Sequence, residues 1–271
     1  MQKKIKEFHR EYKSRTMANY QTLKVNYQTD AQRIQIYRPE ANNTIDTHLT
    51  QELLSALRAA EAEETVKVVI LEGLPDVFCT GMDFQEIADG KQVDPKNNTH
   101  GYYNILKHMS QSSKVILSRV RGRVQAGGVG FVAASDLVIA DESVTFVLSE
   151  LLFGLLPACV LPFLIRRVGF QKAYRLSLTT QSISVLEAYN WGLVDEYNQD
   201  SNKLVNQYIR RLRYLPSSGV KELKDYMSKL WIIREETQNL AVNTASGLIK
   251  QPTVREKIRL FKEEGVFPWQ S

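Results

Sequence analysis

Two short stretches of this 271-residue chain place glycine where free backbone N–H groups could meet an anion. In the first, Val124-Gln125-Ala126-Gly127-Gly128-Val129-Gly130-Phe131, an apolar strand over Lys114–Val120 continues to Arg123 and runs into paired glycines. Phe131-Val132-Ala133-Ala134 follows, and the spacing predicts a short helix over Gly128–Ser135. A glycine pair at a strand-to-helix junction lets the backbone approach another group closely. The first turn of a helix also has N–H groups without intrahelical partners, at the positive end of the helix dipole. The same residues would serve equally as a tight turn where helix and sheet pack. In the second stretch, the β-rich run Val66–Gly73 leads through a short loop to Val77-Phe78-Cys79-Thr80-Gly81-Met82-Asp83-Phe84. Two strand ends of this kind could aim two N–H groups at one point, as stabilisation of an oxyanion requires.

Asp83 has two readings, since Asp83-x-x-Glu86 ahead of Ile87 has the spacing of a helix capping box. Asn42 and Asn43 read as turn formers. His48, His100 and His108 have no metal-ligand spacing and read as surface or loop residues, with His9 near the start of the chain. Cys79 and Cys159 are too few for a disulfide framework and fit a reducing, cytoplasmic setting. Cys79 reads as a small buried side chain and not as a nucleophile.

The elements that must position these stretches are predicted from periodicity. Leu23–Tyr27 and Arg33–Tyr37 alternate about a turn at Gln28-Thr29-Asp30, which predicts a hairpin. Asp46 precedes Leu49, Leu53, Leu54, Leu57 and Ala60 at helical spacing. Strand, strand and helix then recur: Val66–Leu71, a helix around Tyr102–Met109, Val115–Val120, the short helix after the glycine pair, and strands at Asp136–Ala140 and Val144–Leu148. Lys91–Asn98 is polar and aperiodic, which predicts a mobile loop beside the site. From Leu161 onward the chain reads as helical: Leu161–Arg167, Gln171–Leu178, Ser184–Trp191 ended by Gly192, Asn202–Leu215, Gly219–Asn243 and Thr253–Glu264.

Four elements in order resemble the crotonase (enoyl-CoA hydratase/isomerase) superfamily over roughly residues 20–260. They are Arg38-Pro39-Glu40-Ala41-Asn42-Asn43, the Phe78–Asp83 turn, the Gly127-Gly128 pair, and Ser149-Glu150-Leu151-Leu152-Phe153-Gly154-Leu155-Leu156-Pro157. The resemblance implies an α/β superhelix of repeated strand–strand–helix units with a helical C-terminal region. It implies the backbone N–H groups of Met82 and Gly127 as an oxyanion hole, and Glu150 as an acid/base. Asp83 is the second catalytic candidate, while Arg38, Ala41 and Gly81 would flank a phosphopantetheine channel. No metal or resident cofactor is implied, since the acyl group rides on phosphopantetheine of an acyl carrier protein or of CoA. Hydratases of the family usually carry a second glutamate where this chain has Gly130. Lone acid/base chemistry serves a double-bond shift, an elimination or a decarboxylation better than hydration of an unactivated enoyl thioester.

Within that superfamily, Arg38–Ile45, Leu71–Cys79, Ser149–Arg167 and the ending Phe267-Pro268-Trp269 look most like the stand-alone hydratase homologues of bacterial polyketide β-branching. The implied reaction is dehydration of 3-hydroxy-3-methylglutaryl-acyl carrier protein to 3-methylglutaconyl-acyl carrier protein. An isomerase or hydratase on free CoA thioesters stays open, as does the decarboxylating sister enzyme, which the lack of a lysine beside Gly81–Asp83 disfavours. An inactive scaffold used as a binding subunit is opposed by the retention of Glu150.

Composition bounds the rest. The 43% apolar content supports one large domain, and no apolar run spans a bilayer. Met1–Arg15 holds six basic residues against two acidic ones, most of the net charge of +5, and lacks the apolar core of a secretory signal. Met17 is a plausible natural start. With its basic excess in an arm, the body is near neutral, which argues against nucleic acid. Residues 1–17 are read as a disordered or helical arm, 18–200 as the α/β core, and 201–271 as a helical region for oligomerisation and site cover. The family resemblance implies a homotrimer or hexamer, and the apolar run Leu161–Ile165 is long for one subunit to bury. Arg166, Arg167 and the Arg210-Arg211-Arg213 cluster are the candidates for meeting an acidic carrier protein.

Overall fold

In a computed structural model, residues 19–28, 30–84, 95–230 and 234–270 are described. The basic arm and His9 lie outside them, as do Glu86 and Ile87 of the expected capping box. The hairpin forms as β1 (Leu23–Gln28) and β2 (Ala31–Ile36), paired antiparallel with Leu23 opposite Ile36. Helix α1 (Thr47–Ala62) starts on Asp46, whose side chain accepts from the Leu49 N–H at 2.7 Å, and buries Leu49, Leu53, Ala56, Leu57 and Ala60. This satisfies one orphan donor and turns the apolar stripe onto the sheet.

The repeats that follow share their strands between two sheets. In each, the first strand enters a six-stranded sheet and the second a four-stranded one: β3 (Val68–Glu72) with β4 (Val77–Cys79), β5 (Val115–Val120) with β6 (Arg123–Gln125), and β7 (Leu137–Asp141) with β8 (Thr145–Val147). Helices α2 (Pro95–Gln111) and α3 (Gly127–Ala134) complete the first two units. The large sheet has the order β1-β2-β3-β5-β7-β10, with β10 at Glu196–Asn198. The small one has the order β4-β6-β8-β9, with β9 at Ile183–Ser184. Apart from β1/β2 and β8/β9, the pairs are parallel. β3 is buried throughout, as expected of a parallel strand covered on both faces. Parallel strands stacked this way put the ends of β4 and β6 side by side, so the two glycine stretches become neighbours.

Helices α4 (Leu161–Val168), α5 (Phe170–Thr179), α6 (Val185–Trp191), α7 (Ser201–Leu212), α8 (Ser217–Lys229), α9 (Glu235–Ile249) and α10 (Pro252–Glu264) follow. Ser184 and Glu187 form a capping box on α6, and Gly192 ends it in the left-handed region at φ 82°.

Several expectations are corrected here. The helix expected over Gly219–Asn243 is two, α8 and α9, with 231–233 outside the described residues. Residues 95–98, expected in a loop, form the first turn of α2, where Pro95 needs no N–H partner; residues 91–94 lie outside the described residues. The run Leu161–Ile165 is covered within the subunit, with Pro162, Phe163 and Leu164 buried, so it gives no reason for a partner. His48 in α1 is exposed, as expected, whereas His100 and His108 in α2 are partly buried. Burial pushes the His108 imidazole below its ordinary range, with the Glu61 carboxylate opposing.

Arg166 and Arg167 are also corrected as docking residues, because both turn inward. Arg166 donates to the carbonyls of Ala133 and Ala134 at the end of α3. Arg167 donates to those of Leu193 and Ser135 and pairs with Asp195. They occupy helix-end acceptors that the fold would otherwise bury unsatisfied. Arg210 and Arg211 remain exposed, and Arg213 pairs with Asp30 at 3.2 Å.

Candidate active site

A cavity of about 890 Å³ opens where β4, β6 and β8 end, against α2, α9 and α10. Its wall includes Met82, Asp83, Gly127, Glu150 and Ala41 of the expected site residues, whereas Arg38 and Gly81 lie behind it. Residues 40–42, 44 and 45 build much of that wall, held by Asn43. Asn43 is fully buried in the left-handed region at φ 53°, and its side chain donates to the carbonyls of Ile36 (3.1 Å) and Phe78 (3.0 Å) while accepting from the Arg38 N–H. It therefore does more than form a turn, since it ties the end of β2 to β4.

Two residues on, Ile45 brackets the second glycine stretch. The Ile45 N–H donates to the Gly81 carbonyl at 2.7 Å, and the Asp83 N–H donates to the Ile45 carbonyl at 3.0 Å. In a parallel bridge of this kind, the residue between the two bonds, Met82, points its own N–H to the opposite side. That N–H has no partner among the described residues.

Facing it is the N-terminus of α3. A Cβ added to Gly81, which sits at φ +89°, would stand 2.6 Å from Ala126 Cβ and 3.3 Å from the Gly127 nitrogen, so the two stretches are in direct contact. Ala126, the residue before α3, has φ 47° and ψ −119°, which an L-residue adopts only at a cost of ~1–3 kcal/mol. The strain is held by its N–H, which donates to the Val147 carbonyl at 2.9 Å. Gly128 presses on β4, for a Cβ there would fall 2.5 Å from the Cys79 carbonyl oxygen. Cys79 itself is buried, and desolvation pushes its thiol to about 12.

Glu150 opens a short 3-10 turn, Glu150–Phe153, beyond β8. Its Oε2 is buried without a hydrogen-bond partner among the described residues. Burial pushes its carboxyl to about 7, against smaller opposing contributions from the backbone N–H groups of Glu150 and Ser149. A carboxyl poised near neutrality in the same cavity wall as Met82 and Gly127 can move a proton next to a bound carbonyl.

Asp83 is arranged otherwise. Its Oδ2 accepts from the Thr44 hydroxyl at 2.9 Å and lies 3.4 Å from the Arg38 guanidinium, which also pairs with Asp46 at 2.7 Å. Arg38 further donates to the Thr44 carbonyl. Asp83→Asn is therefore expected to cost about 1–2 kcal/mol of stability while catalytic turnover stays near wild type. Parallel melting and turnover measurements check this: a hundredfold loss of turnover at unchanged Tm would make Asp83 a proton donor instead.

Residues that the sequence did not single out complete the cavity. Tyr102 of α2 lines it, and its hydroxyl donates to the Gly127 carbonyl at 2.6 Å. A Cβ at Gly130 would lie 1.9 Å from that hydroxyl oxygen. The outer wall is a train of aromatic rings, Phe84–Phe153–Phe261–Phe267–Trp269, with neighbouring centroids 4.7–5.5 Å apart. Lys262 of α10 also lines the cavity. Among the described residues no cluster of histidine, cysteine, aspartate or glutamate could hold a metal ion, and no helix is long and apolar enough to cross a membrane.

A family model described as enoyl-CoA hydratase/isomerase matches residues 27–271. The chain is 43% identical over 256 residues to the bacillaene synthase dehydratase PksH of Bacillus subtilis, covering 94% of this chain and 98% of that one. It is 30% identical over 241 residues to the mevalonyl-coenzyme A hydratase sidH of Aspergillus fumigatus, covering 86% and 88%. Among solved structures, pksH from Bacillus subtilis superposes with a TM-score of 0.86 at 42% identity, over 92% of this chain and all of that one. An enoyl-CoA hydratase from Bacillus halodurans shares the fold at 20% identity, with a TM-score of 0.78 over 88% and 98%.

Proposed function

The chain belongs to the enoyl-CoA hydratase/isomerase family, and we propose that within it this protein dehydrates 3-hydroxy-3-methylglutaryl-acyl carrier protein to 3-methylglutaconyl-acyl carrier protein. The observation that carries this reading is Glu150: a carboxyl with a buried, unpartnered oxygen, raised to about 7 by burial, in the wall that also holds Met82 and Gly127. The similarity to a dehydratase of polyketide synthesis supports it.

The thioester oxygen lies between the N–H groups of Met82 and Gly127. The Glu150 carboxylate takes a proton from C2, and the electron pair of that bond becomes the enolate, whose charge the two N–H groups hold. The enolate then collapses, forming the C2–C3 double bond and expelling the tertiary hydroxyl. Glu150 returns its proton to that hydroxyl, which leaves as water. One carboxylate thus serves as base and then as acid, and no net proton is gained or lost.

The test is mass spectrometry of 3-hydroxy-3-methylglutaryl carrier protein after incubation, where the loss of one water is expected. An unchanged mass beside active isomerisation of a free enoyl-CoA would replace this reading with the isomerase.

A trimer or hexamer is part of the same reading. Its support now rests on α8, where Leu223, Tyr226, Met227 and Leu230 form an exposed apolar stripe at helical spacing, each 55–62% exposed. Light scattering at micromolar concentration that shows only a monomer would overturn it.

A further inference from the structure

We propose that Tyr102 is the specificity-determining residue for a 3-hydroxyl on the substrate, accepting that hydroxyl's hydrogen bond so that its oxygen is presented to Glu150. The inference rests on the reading of Glu150 as the one acid/base.

Three observations place the phenol. It lines the same cavity as Glu150, Met82 and Gly127. Its oxygen fills the space that any side chain at position 130 would need, since a Cβ there would meet it at 1.9 Å and Val160 at 3.2 Å. Its ring is fixed edge-on against Phe131, with centroids 5.4 Å apart, and the residue is 9% exposed. The phenol is therefore a rigid part of the wall.

Its chemistry follows from where its one proton goes. The hydroxyl donates to the Gly127 carbonyl at 2.6 Å, so what it offers to the cavity is an oxygen lone pair and not a proton. Burial, with the charge of Glu150 as a smaller contribution, raises the phenol well above its ordinary range, so it stays neutral and does not act as a base. A neutral, fixed acceptor suits the hydrogen of an alcohol. An alcohol that donates to Tyr102 has its own lone pairs free, and its oxygen receives the proton from Glu150 as the C3–O bond breaks. A substrate without the hydroxyl gains nothing from Tyr102, and a site built to hydrogen-bond a hydroxyl discriminates strongly against analogues that lack it.

Tyr102→Phe removes the acceptor and keeps the ring. The experiment follows two reactions: dehydration of 3-hydroxy-3-methylglutaryl pantetheine, and exchange of the C2 hydrogens of 3-methylglutaryl pantetheine in deuterium oxide. The second needs only the base and the enolate-binding groups. Dehydration is expected to fall about 10–100-fold, a lost hydrogen bond to a positioned group being worth about that much, while C2 exchange, measured well below the variant's Tm, stays within about twofold; loss of the bond to the Gly127 carbonyl lowers Tm slightly. Gly130→Ala reaches the same atom from the other side, displacing the phenol oxygen, and the same selective loss is expected. Wild-type dehydration by Tyr102→Phe would overturn the proposal, as would equal loss of both reactions in the two variants, which would make Tyr102 a support for the Gly127 backbone. Exchange that survives Glu150→Gln would instead overturn the acid/base reading.

Discussion

Glu150→Gln is expected to lower dehydration by about 10²–10⁴-fold, the usual worth of a positioned acid/base, while thioester binding persists. Glutamine keeps the shape of the side chain but takes no proton from C2. Because burial raises this carboxyl to about 7, kcat/KM in the wild type should climb about tenfold per pH unit below 7 and level off above it. The same shift predicts stability. The folded-state value lies above the ordinary 4.5, so the carboxyl costs nothing below that pH, where both states hold the proton. The cost grows as pH rises to 7 and is constant beyond. A shift of that size corresponds to on the order of 3 kcal/mol, so Glu150→Gln should melt higher than the wild type at pH 8 and alike at pH 4. Near-wild-type dehydration by the variant would remove Glu150 from the mechanism.

Gly128→Ala is expected to be nearly as damaging, and through the backbone. The added methyl would stand 2.5 Å from the Cys79 carbonyl oxygen and 3.1 Å from its carbon, so β4 and α3 must separate. Overpacking of this kind costs about 1–3 kcal/mol. The movement also spreads the Met82 and Gly127 N–H groups, and loss of one such donor costs ~10²–10³-fold in rate. Dehydration and C2 exchange should therefore fall together, measured well below the variant's Tm. Gly247→Ala is the control, for nothing lies within 4 Å of a Cβ there and the residue is inside α9. It should leave turnover unchanged and raise stability by up to about 1 kcal/mol. Full activity in Gly128→Ala would show that the N-terminus of α3 moves freely without loss.

Much of the architecture is legible in the sequence because it is written in local patterns. Alternation gives the hairpin, Asp46 marks the start of α1, and Ser184 with Glu187 and Gly192 bounds α6. The neighbourhood of Met82, Gly127 and Glu150 is legible through motif order. What the sequence hides is set by long-range packing. Arg166 and Arg167 look like a docking pair in one dimension, but they satisfy carbonyls contributed from α3 and the turn before β10. The break between α8 and α9 carries no proline or glycine. Tyr102 and Tyr103 are adjacent and alike in sequence, yet one lines the cavity and the other packs against Phe163 in the core. The aromatic wall from α10 reaches the site only because the chain folds back over it, and its one trace in sequence is the ending Phe267-Pro268-Trp269.

The contact between Tyr102 and Gly130 also constrains how such a site can change by descent. A glutamate at 130, where a two-carboxylate hydratase of the family would have one, would drive the phenol from its place, because its Cβ would fall 1.9 Å from the phenol oxygen. A protein that gains that glutamate gives up the phenol's present position in the same step. The two positions are therefore epistatic, the effect of a side chain at 130 depending on whether 102 is tyrosine.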